Sequence, residues 1–483
     1  MSAAYAGSIM KASFLALLPV TTAIQAAKPV EIGSQRELFV DHHLIERLEG
    51  ARLALHRPQP REIVFKFDQP WEGIYSGYET ILKDGDKFRF YYRGMPEAKH
   101  DFDTEVTCVS ESTDGIHWTR PKLGVYEVRG TKANNVVLAR SRGCHNLAPF
   151  IDTNPACPPD QRYKAMGGTG APGLLGFTSA DGLRWRQVQE KPVITKGAFD
   201  SQNNAFWSVS ENQYVCYFRV FRDGKRWIAR ATSKDFTNWS DPVDLELGNK
   251  PREHLYTNQF DPYLRAPQIY LGLPTRFLPG RRVVTAEEAR RIKTPTEWDY
   301  VSDCTDIQLT AARGGTNFSR IFLEAFIRPG ADLRNWTSRS SYAARGIVQT
   351  GDRELSLYVK HQGGYQSIHL KRYTIRPDGF ISVNAPYQGG ELVTRPLTFH
   401  GSKLSLNMAT SAAGGLWVEI QSPDGKPIDG FALNDCSEII GDRLAHQVRW
   451  KPGANLGALR GKPVRLRFRL KDADLYSFQF TGS

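Results

Sequence analysis

One short box recurs along this chain and limits what it can fold into more than any other feature. Ser112-Thr113-Asp114-Gly115-Ile116-His117-Trp118 is followed by Ser179-Ala180-Asp181-Gly182-Leu183-Arg184-Trp185 and Ser233-Lys234-Asp235-Phe236-Thr237-Asn238-Trp239. A degenerate fourth copy is Asp332-Leu333-Arg334-Asn335-Trp336. Each time a Trp stands four residues after an Asp, and successive copies lie 67, 54 and 97 residues apart. Asp-Gly supplies a tight turn between two strands, and the Trp packs on a neighbouring unit. Recurrence at blade-sized intervals predicts a repeated β unit.

Aromatic-rich strands precede the boxes: Asp86-Lys87-Phe88-Arg89-Phe90-Tyr91-Tyr92-Arg93, Arg162-Tyr163-Lys164-Ala165-Met166 and Gln213-Tyr214-Val215-Cys216-Tyr217-Phe218-Arg219. Gln268-Ile269-Tyr270-Leu271-Gly272-Leu273 and Glu354-Leu355-Ser356-Leu357-Tyr358-Val359 complete the set. Short β-branched and aromatic runs bounded by Gly, Pro, Asp and Asn read as strands. Five units of four strands predict an all-β fold, a five-bladed β-propeller over 37–385. A sandwich over the same span would leave the repeated box unexplained. One helix is predicted, from the capping box Thr285-Ala286-Glu287-Glu288, as an insertion in the fourth unit. It is either a roof over a site or a surface excursion.

Past residue 386 the boxes stop. Lys403-Leu404-Ser405-Leu406-Asn407-Met408, Leu416-Trp417-Val418-Glu419-Ile420 and Val464-Arg465-Leu466-Arg467-Phe468-Arg469-Leu470 alternate with period two. Residues 386–483 therefore predict a C-terminal antiparallel β-sandwich.

Residues 1–26 read as a cleavable signal segment: Lys11, a short apolar run and small residues up to Ala26-Ala27, which implies a secreted or periplasmic protein. Beyond it no apolar run is long enough to span a membrane. The six cysteines form no CxxC pair, so no structural metal site and no cofactor are expected. Cys144 and Cys157, flanking a Pro-rich loop, are the candidates for a disulfide. With 63 Lys and Arg against 51 Asp and Glu the net charge is +12, which points a secreted propeller toward acidic glycans. No nucleic-acid motif accompanies that charge.

The first strand of each blade lines a propeller's central channel, so polar residues at those strand starts converge. The starts carry Tyr78-Glu79, His145-Asn146, Asp200-Ser201-Gln202-Asn203-Asn204, Tyr256-Thr257-Asn258-Gln259 and Ser340-Ser341, and Asp303 and Asp306 follow the inserted helix. Carboxylates meeting from different blades suit glycosidic-bond cleavage, with one acid held protonated and another ionised. Glu79, Asp200 and Asp306 form the expected acid–base set, with Glu253 beside them. Trp71 is expected to stack on a sugar ring. His145, Asn146, Asn203, Tyr256 and Asn258 are expected to bind hydroxyls. Arg93, Arg219 and Arg276 end second strands and suit a carboxylated or sulfated sugar. Asp41 reads as structural, on a strand that could close the ring.

These segments resemble the five-bladed glycoside hydrolases of families 32, 43 and 68, and more closely secreted family-32-like hydrolases of planctomycete-type bacteria. The likeness is carried by Phe39-Val40-Asp41, Pro70-Trp71-Glu72-Gly73, Gly197-Ala198-Phe199-Asp200-Ser201-Gln202-Asn203 and Leu255-Tyr256-Thr257-Asn258-Gln259. Asp472-Ala473-Asp474-Leu475-Tyr476-Ser477 extends it to the C-terminus. The resemblance implies a propeller hydrolase of plant or algal poly- or oligosaccharides. The invertase-type motifs Trp-x-Asn-Asp-Pro-Asn-Gly, Arg-Asp-Pro and Glu-Cys are absent, so it transfers no catalytic residue. A non-catalytic carbohydrate-binding propeller is the alternative reading. Whether cleavage inverts or retains depends on the carboxylate separation.

Overall fold

The computed structural model describes Met1 and residues 28–97, 99–248, 251–295 and 299–482. The expected signal segment, apart from Met1, lies outside the described residues.

The boxes make one repeated turn. Asp114 Oδ1 accepts from the amides of Ile116 and His117, and Asp181 and Asp235 repeat this with the residues two and three positions on. The serine opening each box accepts from the amide three residues later, at Gly115, Gly182 and Phe236. Those three residues share a left-handed backbone, with φ of 75°, 74° and 68°, which glycine adopts without strain and Phe236 does not. Each turn then faces the preceding blade. Tyr358 donates to Gly115 O and Tyr91 to Gly182 O, while Trp118 packs edge-on to Tyr358 and Trp185 edge-on to Tyr91.

Among the described residues five antiparallel sheets follow this logic. The first holds Gly77–Asp84, Lys87–Gly94, Val106–Ser112 and Val136–Ala139. The second runs from Ala148–Ile151 to Arg186–Gln187, and the third from Asn204–Ser208 to Val243–Asp244. The fourth runs from Asp261–Tyr263 to Phe318–Ser319. Its central strands continue past Gly272 as the hairpin Thr275–Pro279 and Asp303–Ile307, which His254–Leu255 joins. The predicted helix, Ala286–Arg291, sits between the two arms of that hairpin. The fifth sheet contains Tyr342–Ala343, Glu354–His361 and His369–Ile375, and its outer strand is Gln59–Lys66 from the other end of the chain.

That last pairing closes the ring, so the expected role of the Asp41 segment passes to residues 59–66. Asp41 instead forms an ion pair with Arg313 at 2.8 Å. The strands Arg36–Leu38, Ile45–Glu49 and Arg52–Leu55, expected within a 37–385 propeller, join the C-terminal sheet, as does Ile381–Ala385. The reason is hydrogen bonding. The long strands Lys403–Gln421 and Arg465–Thr481 pair with each other, and the second leaves an edge whose amides and carbonyls need partners. Alternation places Leu404, Leu406, Leu416, Val418, Leu466 and Phe468 in a core that the curled eight-stranded sheet closes around.

Propeller and sandwich meet at Asp378. This buried carboxylate accepts from Tyr263 at 2.7 Å, Arg265 at 2.9 Å, Ser477 at 2.7 Å and Asn407 at 3.1 Å. All six cysteines are free thiols, Cys144 and Cys157 included.

The closing strand gives an internal test. Phe65 is buried against Phe90 and Tyr92 at 5.0 and 5.3 Å, whereas Ile63, two residues away, is exposed. Phe65→Ala is expected to cost about 3–5 kcal/mol in a urea melt. Ile63→Ala is expected to change stability by no more than about 0.5 kcal/mol.

Candidate functional site

The inner strands converge on a small pocket. Four of the five blades, or the turns leading into them, contribute. Tyr78 comes from the first, Asp200 from the turn before the third, Tyr256 from the approach to the fourth, and Tyr342 and Lys360 from the fifth. Tyr256 and Tyr342 stack at 5.5 Å, and Tyr78 leans on Tyr342 at 5.7 Å. Tyr300, which follows the inserted helix, stacks on Tyr75 at 6.0 Å, so the insertion supplies part of the pocket wall.

Asp200 is the carboxylate that this pocket exposes, its side chain 46% accessible. His145 Nε2 lies 3.3 Å from Oδ1 and Arg219 Nη2 3.5 Å from Oδ2. Burial alone would raise this carboxyl. The His145 hydrogen bond and the Arg219 and Arg93 charges outweigh it and hold the group well below the usual carboxylate range. Arg219 is itself fixed by Ala198 O and lies over the Tyr256 ring, so it positions Asp200.

Behind Asp200 the buried His145 reaches a second acid, its Nδ1 lying 2.9 Å from Glu105 Oε2. Glu105 Oε1 lies 3.1 Å from His100 Nδ1. Burial raises the Glu105 carboxyl, but the two histidines bring it down to about 2. Arg93 is held by Asn146 Oδ1 and Tyr75 O, with Nη1 3.5 Å from His145 Nδ1.

Glu79 occupies a different environment. It is fully buried, and neither carboxylate oxygen has a hydrogen-bond partner among the described residues. Burial pushes its carboxyl up, with Lys360 and Arg93 only partly opposing. Lys360 lines the pocket, and burial lowers its ammonium while the Glu79 charge works against that. The room for Lys360 comes from Gly77, where a Cβ would stand 3.0 Å from Nζ.

Several expected residues lie elsewhere. Trp71 is not a stacking platform: it is buried in the first blade's core, its indole N–H bonded to Asn135. Asp306 is held bidentately by Arg276, and Glu253 is shared by Arg276 and the buried Arg320. These four form a self-neutralised ion network outside the pocket lining, so Arg276 is already engaged. Asn203 bonds Phe199 O and Ser201 O, and Asn258 bonds Gln202 O, Tyr217 O and Asn204. Gln202 reaches Tyr78 O, Glu79 O and Thr80, and Gln259 reaches Gln202 and Ala343 O. These amides cross-link inner strands and plug the channel beneath the pocket, because buried inner-strand groups need partners. Asn146 serves Arg93 and Ser201 O in the same way.

Sequence reading missed His100, Glu105, Arg339, Tyr342 and Lys360. His100 and Glu105 lie between the second and third strands of the first blade, away from any strand start. Lys360 alternates in an ordinary second strand, and only the missing side chain of Gly77 signals where it points.

No family model matches the chain, and no curated protein does. Solved structures do match. A glycoside hydrolase aligns at 12% identity over 66% of this chain and 93% of its own, with a TM-score of 0.44. A glycosyl hydrolase from Bacteroides ovatus aligns at 13% over 67% and 94%, with a TM-score of 0.41. An N-acetylgalactosamine deacetylase from F. plautii, in complex with blood group B trisaccharide, aligns at 12% over 68% and 97%, with a TM-score of 0.44. No residue role is carried over from them. By its own strand order the chain is a five-bladed β-propeller carrying an aromatic-walled pocket.

The electrostatics of Asp200 can be checked directly. Arg219→Met removes a guanidinium that lowers its carboxyl, so the carboxyl is expected to titrate closer to the usual range. Carbon-13 NMR of labelled aspartate reads the shift; an unmoved Asp200 resonance contradicts the assignment of Arg219.

Proposed function

We propose that the protein is a secreted glycoside hydrolase acting on a plant or algal poly- or oligosaccharide with acidic or sulfated residues. One observation carries this reading: an ionised, half-exposed Asp200 stands in a pocket walled by tyrosine rings, beside a lysine of lowered proton affinity. Tyrosine faces accept the apolar faces of sugar rings. Arg93, Arg339 and Lys360 line the same pocket and supply cationic partners for a carboxylate or sulfate on the substrate.

In this mechanism a water attacks the anomeric carbon as its bond to the glycosidic oxygen breaks. Asp200 accepts the proton that the water loses. The departing oxygen takes a proton from the Lys360 ammonium, which Glu79 keeps charged from behind. A donor whose proton affinity lies closer to neutrality than free lysine transfers it more readily. The reading of residues 1–26 as an export signal supports the secreted location, and N-terminal sequencing of exported protein is expected to begin at Ala27.

The test is release of reducing ends from arabinan, xylan, fructan and sulfated algal glycans. Asp200→Asn is expected to lower kcat by about 10²–10⁴-fold, the usual worth of a general base. Because Lys360 must carry its proton, activity is expected to fall with rising pH below the ordinary lysine range. Glu79→Gln removes a charge that holds that proton, so this alkaline limb moves to lower pH. Unchanged release in Asp200→Asn removes Asp200 from the reaction.

A second reading, a carbohydrate-binding propeller without catalysis, is favoured by the burial of Glu79 and the neutralisation of Asp306 and Glu253. Binding of a glycan by the wild type without any release of reducing ends would decide for it.

A further inference from the structure

We propose that His100, Glu105 and His145 form a site for a divalent transition metal at the edge of the pocket. The inference is independent of the glycosidase reading. One ligand atom from each of the three residues lies within 4.8 Å of the others. The Glu105 carboxylate already spans the two imidazoles, with Oε1 3.1 Å from His100 Nδ1 and Oε2 2.9 Å from His145 Nδ1. Atoms bound about 2.0–2.2 Å from a common ion stand roughly 3–3.5 Å apart, so an ion needs only a small inward movement of the His100 ring. The two rings are already close, with centroids 4.6 Å apart and planes tilted by 59°.

The donor set selects the ion. Two imidazoles and one carboxylate suit zinc, cobalt, manganese or iron, whereas calcium and magnesium take oxygen donors. The outer partner is present too. Asp200 Oδ1 stands 3.3 Å from His145 Nε2, the relation in which a carboxylate orients a metal-bound imidazole through its other nitrogen. Glu105 and His145 are wholly buried, while His100 is half exposed and lines the pocket, which gives the ion a side facing the substrate space.

The experiment is titration of zinc chloride and cobalt(II) chloride into the full-length protein after dialysis against a chelator. Calorimetry and the visible absorption of bound cobalt are the readouts. The expected result is a single equivalent bound with Kd below about 100 µM, weakened at least tenfold in His100→Ala and in Glu105→Gln, with loss of the cobalt band. His100 is half exposed, so its variant is expected to fold, and circular dichroism checks this. Binding weaker than that, or retained within tenfold by folded His100→Ala, overturns the proposal.

Discussion

Everything the pocket contains depends on closure of the ring by a strand from the far end of the chain. Gln59–Lys66 pairs with His369–Ile375, and the fifth sheet thereby becomes a neighbour of the first. Without that pairing Tyr342 and Lys360 would lose the support that holds them against the first blade, where the Glu79 charge acts on Lys360 through space. The closing strand is held by rings as much as by backbone bonds, since Phe65 and Phe67 meet Phe90 and Tyr92 in an edge-to-face cluster.

Within the closed ring, two carboxylates are driven in opposite directions by their surroundings. Asp200 is stripped of its proton by a histidine and an arginine, whereas Glu79 is buried without a hydrogen bond. His145 ties this to the blades themselves. Standing just ahead of the second blade, it touches Glu105 of the first and Asp200 of the third, so the position of Asp200 is set by three sheets at once.

Much of the architecture was legible because turns are local chemistry. The Asp box specifies its own hydrogen bonds within a few residues, so its copies can be read from sequence without knowing their neighbours. The same holds for the alternation of Leu404, Leu406, Leu416 and Val418 in the C-terminal sheet. Of the pocket lining, Tyr78, Arg93, Asp200 and Tyr256 were legible at strand starts and ends, with His145 and Arg219 against Asp200. Asn203 and Asn258 look like sugar-binding amides but answer buried backbone carbonyls of the inner strands. Asp306 and Glu253 look like catalytic acids but are matched by Arg276 and Arg320, residues distant in sequence. Lys360 and Glu105 escaped notice because nothing near them in the chain marks them, and their meaning arises only from what folding places opposite. Strands 36–55 were misassigned for a related reason. Their partners lie more than three hundred residues away, and a short apolar run carries no label for the sheet it will join.

That long-range pairing also constrains how the molecule is made. Arg36–Leu38 pairs with Leu38 opposite Ser477 and Arg36 opposite Gln479, and residues 59–66 wait for 369–375. A ribosome delivers the first strands minutes or seconds before their partners exist, while blades one to four can form from hairpins that are local in the chain. Non-local contacts are the slow ones to close. The nascent protein therefore carries an unpaired leading segment with apolar strands until residues 369–479 have been made. Both the ring and the sandwich lock together only once residues 369–481 are in place, which makes that stretch the step that commits the fold.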